Sequence, residues 1–118
     1  MSFHPRSTIP TSGWAYYFDY VDNSIFRQKV CGVSLGFVDA SPDDPEKRSY
    51  VSAARFVVAY NDGVVESDVD LENESDFLLF SANDDFLSGH RLRTLAIVWT
   101  KRNDKEPHTS PAKIGGDE

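Results

Sequence analysis

Cysteine is almost absent. The chain has one, Cys31, so no intramolecular disulfide can form. That fits a reducing compartment, and the expected location is the cytoplasm. Cys31 lies inside an apolar run and reads as a small buried hydrophobe rather than a reactive thiol. Long hydrophobic runs are missing too. No stretch approaches the roughly 18 apolar residues that a membrane helix requires. The opening residues, MSFHPRSTIPTSG, lack the apolar core of a secretory leader. Of three histidines, His4 and His108 fall in polar end segments. His90 alone, without neighbouring cysteines, cannot build a zinc site, and after Ser88-Gly89 it reads as a solvent-facing loop residue. Neither standard glycine-rich phosphate loop occurs. No metal and no cofactor are therefore expected.

Positive charge is missing from one long stretch. Between Asp62 and Asp85 there are nine carboxylates and no Lys or Arg, in a chain whose net charge is −7. Such a chain repels phosphate backbones and attracts cationic surfaces, so nucleic acid is not an expected partner. Cations collect at Arg27, Lys29, Lys47 and Arg48, and again at Arg91, Arg93, Lys101 and Arg102.

What is present is core-forming material. Hydrophobic residues make up 40% of 118, with 13% aromatic, enough for one domain and too little for two. Aromatic and β-branched residues dominate that set, which favours strands. Residues 1–12, with Pro5 and Pro10, are expected to be extended or mobile. Residues 103–118 carry one large aliphatic residue and are expected to be a disordered polar tail. The folded domain is then 13–102.

Alternation places the strands. Residues 14–21 put Trp14, Tyr16, Phe18 and Tyr20 on one face, and Asp22-Asn23-Ser24 forms the turn. In residues 26–38, Cys31, Val33, Leu35 and Phe37 share a face, with a twist or bulge expected near Gly32. A polar loop, 39–49, leads to a third strand, 50–60. Asn61-Asp62-Gly63 supplies the positive φ of a tight hairpin. The fourth strand, 64–71, turns Val65, Val69 and Leu71 inward and Glu66, Asp68 and Asp70 outward. Residues 75–89 read two ways: a short buried strand at 77–80, or a single helical turn through Asp85, Phe86 and Leu87. Ser81 with Asp84 resembles a capping pair, and Gly89 would end that turn. Residues 91–100 read as a last, central strand with both faces apolar. The fold expected is all-β: a small antiparallel sandwich or barrel of six to seven strands, with at most one short helical turn.

Three constellations carry functional interest. Gly32-Val33-Ser34-Leu35-Gly36 matches the nucleophile elbow of serine hydrolases, but a polar loop follows it where that chemistry needs a helix. The residues fit better as small side chains on one strand face that let a ring or a backbone come close. The row Trp14, Tyr16, Phe18 and Tyr20, about 6.6–6.8 Å apart, has the spacing of a stacking platform, but such a row is more often the core face of a strand. Glu66, Asp68 and Asp70, extended by Glu72, form an acidic row with no calcium-loop pattern. It is either protection for an exposed strand or a docking face.

These readings point away from an enzyme. The first expectation is a non-catalytic interaction module (an inhibitor, immunity-type protein or assembly factor) whose acidic face engages a basic protein surface. The alternative is a small-ligand or carbohydrate-binding β domain with the aromatic row lining a pocket. Association of identical copies through a strand edge is compatible with either.

Overall fold

The computed structural model describes residues 3–41, 43–47 and 49–115. Met1 and Ser2 of the segment expected to be extended or mobile, the last three residues of the expected tail, and Pro42 and Arg48 of the polar loop lie outside the described residues. The elements are β1 (Phe3–Asp19), β2 (Ser24–Asp39), β3 (Tyr50–Ala59), β4 (Val65–Val69), β5 (Phe77–Ser81), α1 (Gly89–Arg102) and β6 (Lys113–Ile114), with 3-10 turns at Pro45–Lys47 and Leu71–Asn73. The fold is a small, mostly antiparallel β fold of six strands, as expected.

The two sequence-read turns form as their chemistry dictates. Asn23 adopts φ 50° after Tyr20 O accepts its amide, and Asp19 Oδ1 accepts from Asp22 N. Gly63 takes φ 93°, which few side chains tolerate. Tyr60 O accepts from Gly63 N, and Tyr60 N donates to Val64 O.

The chain divides into two compact units. Unit 1 comprises Met1–Ser12 and Val30–Leu71, and unit 2 comprises Gly13–Lys29 and Glu72–Glu118. In unit 1 the hydrogen-bonded order is β4-β3-β2-β1. In unit 2 it is β2-β1-β5, with β6 parallel to β2 through Ser24↔Lys113 and Ile25↔Ile114. β5 pairs antiparallel with β1 from Trp14↔Ser81 to Tyr17↔Phe77, with a register shift between Tyr16 and Tyr17.

Unit 1 buries Val30, Val38, Val58, Val69 and Leu71. Unit 2 holds the larger aromatic cluster of Tyr16, Phe18, Ile25, Leu92, Ala96, Trp99 and Ala112. Its covering element corrects the expectation of a strand at 91–100, because this segment is the helix α1, well beyond a short turn. Leu92, Ala96, Trp99 and Thr100 are buried, a helical stripe at i, i+4, i+7 and i+8. The β-branched residues that imitated a strand point elsewhere, with Ile97 and Val98 exposed. Thr94 and Thr100 donate to the carbonyls four residues back, so their hydroxyls are satisfied within the helix. Lys101 and Arg102 in the last turn complement the helix dipole. Gly89 therefore opens a helix rather than closing one. Ser81 caps no helix, since its Oγ accepts from Asn83 N in a turn.

Unit 1 inverts the predicted face of β2. Gly32, Ser34, Gly36 and Val38 are buried, while Cys31, Leu35 and Phe37 are exposed. The cause is close approach by the paired strand β1. A Cβ on Gly36 would collide with His4 O and lie 2.9 Å from Pro5 Cα, and one on Gly32 would lie 3.3 Å from Ile9 O. Larger residues fit only outward, so the apolar set faces solvent. The change of buried parity falls between Ile25 and Gln28, before Gly32.

The predicted tail is structured where described, and the N-terminal segment from Phe3 is extended, within a strand. β1 begins at Phe3, not Trp14. Residues 103–115 pack instead of trailing: Ala112 is buried, β6 pairs with β2, Lys113 N donates to Asn23 O and Gly115 N to Ile25 O. Backbone hydrogen bonds hold what the segment's poor apolar content could not.

Candidate functional site

The acidic row lies on the β3–β4 hairpin of unit 1. The pairing runs Ala59↔Val65, Val58↔Glu66 and Phe56↔Val69, with an irregularity between Phe56 and Val58. β4 ends the hydrogen-bonded order of unit 1, with β3 as its neighbour, so its outer edge offers main-chain donors and acceptors. Glu66 and Asp68 are exposed and Asp70 is half-buried. Val69 and Leu71 point inward as expected. Val65 does not, being 60% exposed, and Val64 beside it is 50% exposed. Glu72 is exposed but sits in the 3-10 turn Leu71–Asn73, so the row on the strand stops before it.

Sequence reading missed the cation that organises this row. Arg55 Nε lies 3.4 Å from Asp68 Oδ1, and its Nη1 lies 3.7 Å from Asp70 Oδ2. The Arg55 side chain is only 16% exposed, and its guanidinium also sits over the Phe3 ring at 5.3 Å. Part of the signal was available, since Arg55 is the only Lys or Arg between Arg48 and Arg91. A regular count from the Asn61–Gly63 turn, however, puts it opposite Val69, and only the irregularity between Phe56 and Val58 turns it to the aspartates. Because Asp68 is well exposed, the pair contributes on the order of 1 kcal/mol or less. Tyr60 donates weakly to Glu66 Oε2 at 3.5 Å.

The remaining candidates are structural. Tyr16 and Phe18 of the aromatic row are fully buried beneath α1, and Trp14 and Tyr20 pack against the same core. Phe18 meets Trp99 edge-on at 5.3 Å, and Tyr16 meets Phe86 at 5.5 Å. Arg27 lies 3.8 Å from the Trp14 ring and 4.5 Å from Phe86, closing one end of the row. The row is thus a core face, the reading its spacing favoured over a stacking platform, with Tyr16 and Phe18 covered by protein. Ser34 is 4% exposed and its Oγ bonds Thr8 Oγ1 at 3.0 Å. It sits in mid-strand, without the turn a nucleophile elbow requires. His90 is exposed on the first turn of α1 rather than in a loop. Cys31, expected buried, is exposed.

Among the described residues no three His, Cys, Asp or Glu side chains group closely enough to hold a metal ion. None of the helices described is long and apolar enough to cross a membrane. Comparison with protein-family models, curated protein sequences and solved structures found no match to this chain.

Proposed function

We propose that the chain is a non-catalytic protein-interaction module, of the inhibitor, immunity or assembly-factor kind, that engages a basic partner through the β4 edge. One observation carries this reading: β4 is an edge strand that presents Glu66 and Asp68 beside the exposed Val64 and Val65. An added strand would take its main-chain hydrogen bonds from the open edge and its register from side chains on alternate positions. The carboxylates select the partner. They repel a second copy of β4 and favour a strand that carries Lys or Arg. The exposed valines give such a strand apolar surface to cover. We further propose a cytoplasmic location, supported by the single, exposed thiol of Cys31, which a reducing compartment keeps unpaired.

The test is calorimetric titration with a short alternating Lys–Thr peptide. Binding should weaken steeply as salt is raised. Glu66→Lys should lower affinity by about tenfold, and Glu72→Lys, with the same charge change off the strand, by less than about twofold. Equal losses from the two variants would reduce the effect to net charge and remove the strand edge from the account, as would absence of binding.

A further inference from the structure

A second feature lies in unit 2, where α1 faces residues 107–112 across a cleft of about 410 Å³. Its helical wall follows the 3.6-residue period: His90, Arg93, Thr94, Ile97 and Lys101 line one stripe. The opposite wall brings His108, Thr109 and Ser110, and Phe18, Pro107 and Pro111 add apolar surface. Two cations, Arg93 and Lys101, and two histidines thus line one cleft in a chain of net charge −7, and no Asp or Glu is among the lining residues. Among the described residues no salt bridge occupies His90, Arg93 or Lys101.

The cleft is held open by fixed points on the second wall. Tyr20 Oη donates to Glu106 O at 2.7 Å, and a ring nitrogen of His108 bonds Tyr20 O at 2.7 Å. Asn23 Nδ2 donates to Ser110 O at 3.1 Å, and Arg93 Nε donates to Ala112 O at 3.1 Å. A wall tied at these points needs little ordering when a ligand enters, which favours binding. The size falls within the roughly 300–1,000 Å³ typical of small-molecule sites.

We propose that this cleft binds a small organic oxyanion, a carboxylate or phosphate on a compact apolar body. Arg93, Lys101, His90 and the Thr109 and Ser110 hydroxyls would receive the oxyanion, and Ile97 with the prolines the apolar part. The site is independent of β4 and stands or falls separately from the interaction reading.

The experiment is an amide-resolved NMR titration of the full chain with phenyl phosphate and with benzoate. Inorganic phosphate and benzyl alcohol each carry half of the chemistry and serve as controls. Saturable shifts at Thr94, Ile97, Lys101, Thr109 and Ser110 are expected with phenyl phosphate, benzoate or both, and the preferred probe identifies the anionic group. Inorganic phosphate and benzyl alcohol should bind at least about tenfold more weakly. Lys101→Gln with His90→Gln alters exposed side chains and should weaken binding about tenfold. Ile97→Glu, which puts a carboxylate on the cleft wall, should abolish it. Binding of neither probe, shifts centred elsewhere, or affinity unchanged in both variants would overturn the proposal.

Discussion

The two units of this chain bury apolar surface in different ways. Every residue of the hydrophobic cluster, from Tyr16 to Ala112, belongs to unit 2. Of the ten exposed large hydrophobics, seven (Ile9, Leu35, Phe37, Tyr50, Val51, Val64 and Val65) belong to unit 1. Unit 2 packs a helix over aromatic strands, so large side chains meet from both layers. Unit 1 buries a smaller aliphatic set, Val30, Val38, Val58, Val69 and Leu71, and packs Gly32, Ser34 and Gly36 against β1, where bulk has little room. The large aromatic side chains are thus packed in unit 2, and unit 1 leaves more of its apolar side chains exposed. The difference teaches that a strand with many apolar residues does not by itself define a core; the small residues between them decide which face is covered.

The largest effect should come from unit 2. Leu92 is fully buried in the cluster, and Leu92→Ala should cost about 3 kcal/mol through lost contacts and an unfilled cavity. The matching change in unit 1, Val65→Thr, alters a side chain that is 60% exposed and should stay within about 0.5 kcal/mol. Urea denaturation of both variants checks the contrast, and equal midpoints would break it. A smaller effect sharpens the picture of unit 1. Gly36→Val drives a side chain into the His4 carbonyl and should cost about 2 kcal/mol. Ser34→Ala removes only the hydroxyl pair with Thr8 and should cost about 1 kcal/mol. If Gly36→Val were as stable as the parent chain, close approach of the two strands would not be what selects small residues there.

Several of these features were legible in the sequence for definite reasons. Asn61-Asp62-Gly63 and Asp22-Asn23-Ser24 were readable because turn chemistry is local. The β2 stripe was read on the wrong face because period two gives two faces and hydrophobicity alone chose between them; the constraint on Gly36 comes from His4, 32 positions away in the chain. The segment Leu92–Trp99 misled because Ile97, Val98 and Trp99 favour strands, and the spacing of Leu92, Ala96 and Trp99 was the better guide. The acidic row was visible, but its counter-ion Arg55 lay across a hairpin. The basic cleft escaped notice because His108 and Ser110 belong to a segment too polar to suggest order, and hydrogen bonds to Tyr20 and Asn23 hold it in place.

Amide hydrogen exchange, followed residue by residue with and without the alternating Lys–Thr peptide, tests the central claim most directly. In the free protein the amides of α1 and of β1 within unit 2 should exchange most slowly, near the limit set by global unfolding, and those of β4 much faster. On adding peptide, Val65–Val69 should gain protection of about tenfold or more while α1 is unchanged. The account would be contradicted by a β4 already as protected as α1, or by a peptide that leaves β4 unchanged.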